Sequence, residues 1–349
     1  MKKYKLSLCG LFLIVGIASV LAVPTRLHQL LSCLDRSTGF WLVKDISYPI
    51  LIALTVAAVL ASLLIPLLSN QLPRAEFMPL KSKTLAAASL LTVFGFLSDA
   101  ILRMLEVADL WTAVQTQTQQ VFTYYISSGF IPKLFQIIFG LLSAVYFLFL
   151  VKATWKRTTE YQRLKLLALS PVLWGIARMM VHFVEPISYR NVSQLMLELF
   201  FVGFYLIFAL EFARIAGGVN AKNSVWSLYF SGSAAVFFGV TEAFPTCFLT
   251  IFGSGHILPD DYPAQFVDFA LVLFLTAVLV WYSPCFARER GYNVFPEAST
   301  PAPAKLFTPE EPDSPVRPSA AAGSKTIPAD RLKIKNQEPD TTVLPKTKE

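Results

Sequence analysis

Charged residues are scarce in this chain of 349 residues, since Asp, Glu, Lys and Arg together make up 15% of it. An ordinary soluble domain carries about 25%. Apolar residues reach 54%, which is more than a single soluble core can hide and too many for a disordered chain. The scarcity of charge therefore disfavours a soluble enzyme, a DNA-binding protein and a fibrous protein.

Histidine is also scarce, with His28, His182 and His256 as the whole set, and only His182 falls inside a long apolar segment. Haem held by two axial histidines from different helices is therefore excluded. An intramembrane metalloprotease with two histidines four residues apart is not indicated either. We interpret His182 as a hydrogen-bonded core residue, and the sequence predicts no cofactor and no metal site.

Cysteine occurs four times. Cys33 and Cys247 both fall on the outer side of the topology derived below, so a disulfide between them is conceivable in an oxidising compartment. The sequence does not give the distance that such a bond requires, and the pairing stays an open alternative.

What the chain does have is eight long apolar segments. A bilayer core about 30 Å thick needs about 20 apolar residues in a helix. The predicted spans are residues 6–23, 49–68, 85–105, 131–151, 164–184, 194–214, 226–251 and 264–282. The sequence thus predicts an all-α polytopic transmembrane bundle over residues 1–283. Pro245 is expected to kink or break the seventh span.

The first span follows three lysines and also fits a signal peptide, with a tolerable cleavage region at residues 18–22. We interpret it as a retained helix, because an intact first span makes the charge pattern of the loops consistent. Loops on the side of the N-terminus carry 13 basic residues against five on the opposite side. The positive-inside rule then places both termini in the cytoplasm of a multi-pass plasma-membrane protein, so the net charge of +7 indicates orientation rather than nucleic-acid binding.

Residues 284–349 differ in composition from the rest of the chain. They contain ten basic and nine acidic residues, recurrent proline and few bulky apolar side chains. Such a segment cannot form a core, which predicts a disordered cytoplasmic tail. A protein partner could bind through this tail.

Ionisable residues inside the predicted spans form a pattern. Each costs about 2.5–3.5 kcal/mol at the centre of a bilayer on insertion scales and usually faces protein or water. Two sets lie at i, i+4 and i+7 on one helix face, and single carboxylates lie on three further spans. The residues are Asp99, Arg103 and Glu106; Arg178, His182 and Glu185; and Glu198, Glu242 and Asp268. The predicted topology puts them all in the outer half, whereas the inner half holds only the terminal Glu211.

Two interpretations of this cluster stay open. In the first, the two arginines, Arg103 and Arg178, pair with carboxylates and hold the bundle together. The carboxylates available are Asp99, Glu198, Glu242 and Asp268. In the second, the same residues and His182 line an outward-facing polar pocket for an unknown small molecule or ion. Catalysis by these residues is a third, less favoured interpretation. In the seventh span, small residues recur every four positions at Ser231, Ala235 and Gly239, which predicts close helix packing in the bundle core.

A turn follows the first span at Asp35-Arg36-Ser37-Thr38-Gly39-Phe40. The D-x-x-T-G-F pattern, after Arg26-Leu27-His28-Gln29-Leu30-Leu31, resembles a set of polytopic bacterial membrane proteins of unknown activity, which often have Asp-Pro-Glu-Thr-Gly-Phe here. This chain departs from them at Arg36 and Ser37. The resemblance implies a bacterial plasma membrane and carries no functional residue across.

The sequence thus favours an integral membrane protein in the lipid bilayer that senses a ligand or serves as the membrane partner of another protein. The alternative is a transporter or permease component that uses the charged cluster as an ion or substrate site. A membrane-embedded enzyme is the third hypothesis.

Overall fold

The computed structural model describes residues 8–33, 35, 45–69, 82–115, 128–156, 158, 160–184, 192–218, 224–253 and 265–283. Over these residues the chain is helical and contains no strand, which confirms the predicted all-α class. The predicted tail, residues 284–349, lies outside the described residues, as do Glu185, His256 and the turn at 36–40.

Over the described residues, eight long helices follow one another, and each overlaps one predicted span. They are α1 Leu8–His28, α2 Ser47–Leu68, α3 Lys83–Gln115, α4 Phe130–Lys156, α5 Ser170–Val184, α6 Val192–Ala216, α7 Ser224–Ile251 and α8 Phe266–Tyr282. A π-helical turn, Gln29–Cys33, continues α1. Short 3-10 turns at Glu160–Arg163 and Leu167–Leu169 precede α5.

Among the described residues, seven helices are long and apolar enough to cross a bilayer, as expected for a multi-pass integral membrane protein, with α5 counted from the preceding 3-10 turn as Leu167–Val184. The remaining helix, α8, has 17 residues, about 25 Å at the α-helical rise, which is at the lower end of the length of a spanning helix. It packs against α3 and α7. Most of its residues are buried, so α8 is a central element of the bundle.

The outer faces of the helices are apolar, unlike the polar surface of a soluble protein. On α1, Leu11, Val15 and Ala22 face the bundle, whereas Leu13 and Val20 are 63% and 71% exposed. Similar exposed aliphatic rows run along α2, α3 and α4. Lipid chains rather than water are the solvent that suits such faces.

Helix α7 packs against α1, α2, α6 and α8, and small residues allow the approach. A Cβ built on Gly239 would lie 2.4 Å from Cγ2 of Val272 and 2.7 Å from the ring of Phe201. Ala235 is fully buried. The close packing predicted from the small-residue repeat is therefore confirmed.

The break expected at Pro245 does not occur, because α7 runs unbroken from Ser224 to Ile251. Pro245 removes the backbone donor to the carbonyl of Thr241, four residues earlier. The hydroxyl of Thr246 donates to the neighbouring carbonyls of Glu242 and Ala243, both at 3.0 Å, as threonine does within a helix.

The bundle has two chemically different halves. We call the half with the C-terminal ends of α1, α3, α5 and α7 and the N-terminal ends of α4, α6 and α8 the charged half, and the opposite one the aromatic half. In the aromatic half, the ring of Tyr229 contacts Phe12 and Tyr282 at centroid distances of 6.3 and 6.4 Å. Phe274 contacts Phe147 at 4.8 Å and Phe212 at 5.7 Å. Ring contacts thus join α1, α4, α6, α7 and α8.

Candidate functional site

Arg178 on α5 is the centre of the charged half and is 1% exposed. Its guanidinium donates to both oxygens of Asp268 on α8, with Nη2 2.8 Å from Oδ2. It also donates through Nε and Nη2 to Oε1 of Glu198 on α6, with Nε at 2.8 Å. Bidentate arginine–carboxylate pairs fix geometry as well as supply energy. One side chain therefore joins three helices.

His182 lies one turn further along α5, and its Nε2 is 2.7 Å from Oε1 of Glu198. Its side chain is 13% exposed. His182 is therefore hydrogen-bonded and mostly buried at the edge of the core. The contact occupies the carboxylate oxygen that Arg178 also binds.

Asp99 on α3 forms the second centre and is 3% exposed. Its oxygens accept hydrogen bonds from Nε2 of Gln136 on α4, at 3.0 and 3.2 Å, and from Nε1 of Trp174 on α5, at 2.7 Å. The Trp174 ring also lies 5.4 Å from the guanidinium carbon of Arg178, within reach of a cation–π contact. Trp174 therefore connects the two centres.

Arg103 lies at the edge of this network. Its Nε is 3.6 Å from Asp99, and its Nη1 donates to both oxygens of Glu106 at 2.7 and 2.9 Å. Nζ of Lys133 on α4 is 3.2 Å from the same carboxylate. Of the four partners predicted for Arg103, the structure shows only Asp99. Glu106 is 39% exposed and binds both Arg103 and Lys133.

A third centre joins α1, α6 and α7. Arg26 is buried and donates through Nη2 to Gln194 at 2.8 Å and to Ser193 at 3.3 Å. Nε2 of Gln194 donates to Oε1 of Glu242 at 3.1 Å. The other oxygen of Glu242 is buried and has no hydrogen-bond partner. Glu242 is therefore not held directly by an arginine, contrary to one predicted pairing.

All seven predicted cluster residues thus lie in the charged half, and each contacts another of them or a polar neighbour. The outward-facing polar pocket stays a prediction. The polar residues that complete the network were not predicted. They are Arg26, Lys133, Gln136, Trp174, Ser193 and Gln194. The available signal was depth for five of them, since Arg26, Lys133, Gln136, Ser193 and Gln194 fall at the helix ends that form the charged half. Trp174 lies nearer the middle of its span and gave no such signal.

The disulfide considered between Cys33 and Cys247 is not formed, because both cysteines are free. Cys33 instead donates its S–H to Oδ2 of Asp45 at 3.1 Å, and Nε2 of His28 lies 2.9 Å from the same oxygen. These hydrogen bonds, with a further one from Ser47, lower the pKa of the partly exposed Asp45 to about 2. This second polar cluster connects the end of α1 to the start of α2.

A cavity of about 560 Å³ lies between α1, α7 and α8, away from the charged cluster. We call it the apolar groove. Its lining is aliphatic and aromatic apart from a few hydroxyls. The lining residues are Phe12, Val15, Gly16, Ser19, Val20, Val23, Pro24, Ser233, Val236, Val240, Phe244, Val272, Leu273, Thr276, Leu279 and Val280.

No family model matches this sequence, and neither a curated protein nor a solved structure matches it.

Proposed function

We propose that this integral membrane protein is a membrane receptor for a lipid-like amphiphile, whose acyl chain occupies the apolar groove between α1, α7 and α8. The observation that carries the proposal is the groove itself. Its volume of about 560 Å³ lies within the range of about 300–1,000 Å³ that is usual for ligand cavities.

The shape of the groove favours an acyl chain over a partner helix. Along α1 it extends from Phe12 to Pro24, twelve residues or about 18 Å at the α-helical rise. A slot of this length parallel to the helices accommodates an extended hydrocarbon chain. A helix about 10 Å wide needs a broad face instead.

The ends of the groove favour an amphiphile over a plain hydrocarbon. Its lining reaches Pro24 on α1 and Phe244 on α7, which lie within about 3 Å of the depth of the buried Arg26 and Glu242 at the α-helical rise. A chain in the groove would therefore extend from the aromatic half toward the charged half, where a polar head group finds polar neighbours. Exposed Gly16 and Val20 leave a side open to the bilayer.

The charged cluster supports a framework role beside this site. Its arginines are already bound to carboxylates of neighbouring helices, and α7 is unbroken beside Glu242, unlike the interrupted helices that line transporter sites. His182, on which an enzyme hypothesis depends, is bound to Glu198. A partner that binds residues 284–349 stays a prediction, as do the cytoplasmic termini and the bacterial plasma membrane.

Photolabelling tests the receptor proposal. The full chain in lipid nanodiscs is irradiated with palmitoyl phosphatidylglycerol that carries a diazirine in its acyl chain, and the adducts are mapped by mass spectrometry. We expect adducts concentrated on groove residues of α1, α7 and α8. Gly16→Phe fills the groove and should abolish this labelling.

Gly10→Phe is the matched control, because Gly10 is on the same helix, also has open space around it and does not line the groove. It should label like the unmodified chain. Equal labelling of the Gly16→Phe protein, or adducts spread evenly over the exposed faces of α2 and α4, would contradict the proposal.

Proton-coupled transport is a second candidate, favoured by one observation. In the described part of the chain, the buried carboxylate of Glu242 accepts a hydrogen bond from the neutral amide of Gln194 and none from a cation, unlike Glu198 and Glu211, which arginines bind. Intramembrane carboxyls occur in proton relays. Proteoliposomes with an entrapped pH dye and an imposed potential should then show a proton flux that Glu242→Gln abolishes and Asp99→Asn reduces. Glu211→Gln, in the other half, is the control, and a flux unchanged in the first two variants argues against transport.

A further inference from the structure

Three metal-ligating side chains of different chemistry meet at the junction of α1 and α2. They are the imidazole of His28, the thiol of Cys33 and the carboxylate of Asp45. Oδ2 of Asp45 lies 2.9 Å from Nε2 of His28 and 3.1 Å from Sγ of Cys33. The three potential ligand atoms all lie within 4.8 Å of one another, close enough to share one ion.

An irregular turn of the backbone brings His28 and Cys33 close together. His28 and Cys33 are five residues apart, and in an α-helix positions i and i+5 point about 140° away from each other. The turn Gln29–Cys33 is π-helical, and its i to i+5 repeat brings these two positions onto one side. π-Helical residues are well under 1% of globular structure and often occur at functional sites.

The donor set selects the metal. Thiolate and imidazole ligands favour zinc and other late transition metals, whereas Mg²⁺ and Ca²⁺ require oxygen. Zn²⁺ accepts sulfur, nitrogen and carboxylate oxygen in a tetrahedral site. A thiolate and a carboxylate also supply two negative charges, which balance the charge of the ion.

The cluster is accessible from solvent. The side chains of His28 and Asp45 are 55% and 25% exposed, whereas Cys33 is buried. An ion can therefore reach the cluster from solvent, and the fourth tetrahedral position would face outward, open to water or to another ligand.

We propose that His28, Cys33 and Asp45 form a Zn²⁺ site that ties the end of α1 to the start of α2. The site is separate from the apolar groove and does not depend on the amphiphile proposal. Because α1 forms one wall of the groove, bound zinc would also fix the position of that wall.

Metal titration of the full chain in detergent tests the proposal, after treatment with a chelator. Zn²⁺ in competition with a chromophoric chelator should bind with one equivalent per chain. Co²⁺ as a probe should give the near-ultraviolet charge-transfer band that indicates a thiolate ligand. Cys33→Ser should remove that band, and Cys33→Ser and His28→Gln should weaken Zn²⁺ binding by more than the roughly 10–100-fold typical of outer-shell changes.

Cys247→Ser is the matched control, since Cys247 is the other free cysteine and lies on α7. It should leave both readouts unchanged. Chelator-treated Cys33→Ser protein should unfold like the unmodified chain, and Zn²⁺ should raise the melting temperature only where Cys33 is present. Binding that is absent, or equal in the unmodified and Cys33→Ser proteins, would show that the cluster is a hydrogen-bonded junction only.

Discussion

In the charged half, the single side chain of Arg178 joins α5 to α6 and α8. In the aromatic half, helices are joined by several ring contacts, such as those of Phe274 on α8 with Phe147 on α4 and Phe212 on α6. Lipid is as apolar as leucine, so helices in a bilayer gain little from hydrophobic burial and depend on packing and polar contacts. Ion pairs are directional and leave an unpaired charge when one partner is lost. Ring contacts are weaker singly, at about 0.5–1.5 kcal/mol each. The charged half should therefore be the more sensitive to single substitutions.

The largest effect is expected for Arg178→Met, which leaves Glu198 and Asp268 buried side by side without their common cation. Removing one partner of a buried pair costs about 3–5 kcal/mol of unfolding free energy, measurable by unfolding in mixed micelles. Arg214→Ala is the control, because its pair with Glu211 is partly exposed, with 47% of the Arg214 side chain accessible, and such pairs contribute about 0–1 kcal/mol.

A triple variant sharpens this test. Adding Glu198→Gln and Asp268→Asn to Arg178→Met removes the unpaired charges and should restore much of the lost stability. If the triple variant is as unstable as Arg178→Met, loss of arginine packing rather than unpaired charge causes the effect.

Trp174→Phe and Trp226→Phe compare the same change in the two halves. Nε1 of Trp174 donates to the carboxylate of Asp99, and a hydrogen bond to a charged group contributes about 1.5–3 kcal/mol. Nε1 of Trp226 has no partner. The first variant should lose more unfolding free energy than the second by about that amount, and equal losses would refute the role assigned to the Trp174–Asp99 contact.

Gly239→Ala tests packing without any change of charge. The new methyl group would meet Val272 and Phe201 at 2.4 and 2.7 Å, and overpacking typically costs about 1–3 kcal/mol. Gly203→Ala on α6 meets nothing within 4 Å and should be neutral or slightly stabilising. Similar unfolding free energies for the two variants would show that α7 can shift away from α8.

The smallest effect is expected in the aromatic half for Tyr229→Phe. The Tyr229 hydroxyl donates to the carbonyl of Tyr282 at 2.9 Å, and such a bond contributes about 0.5–1.5 kcal/mol. Tyr205→Phe is the control, since the hydroxyl of Tyr205 is buried without a partner and its removal should be neutral or stabilising. A loss for Tyr205→Phe as large as for Tyr229→Phe would contradict this assignment.

The positions of the helices were predictable because a span needs a long apolar run, and hydropathy shows it directly. The common depth of Asp99, Arg178, Glu198, Glu242 and Asp268 was also predictable, since consecutive spans run in opposite directions and the residue number then gives the depth.

The partners of these residues were not predictable. Depth alone does not reveal which helices are neighbours, so Arg178 could have bound any of four carboxylates, and neutral Gln194 gave no sign that it reaches Glu242. The His28–Cys33–Asp45 cluster was missed for another reason. It depends on a π-helical turn at Gln29–Cys33, and an apolar pattern read with α-helical spacing places His28 and Cys33 on different faces.

The ion pairs of Arg178 have a consequence for how the ribosome and the translocon build this protein. The carboxylates that bind Arg178 come 20 and 90 residues later in the chain, and α5 has the lowest mean hydropathy of the seven long spans, 1.5. A lone arginine raises the insertion cost of its helix by about 2.5–3.5 kcal/mol. Helix α5 should therefore partition into lipid as a hairpin with α6. The pair with Asp268 can form only after α8 has been synthesised. Translocation intermediates that lack α8 should therefore remain bound to the insertion machinery.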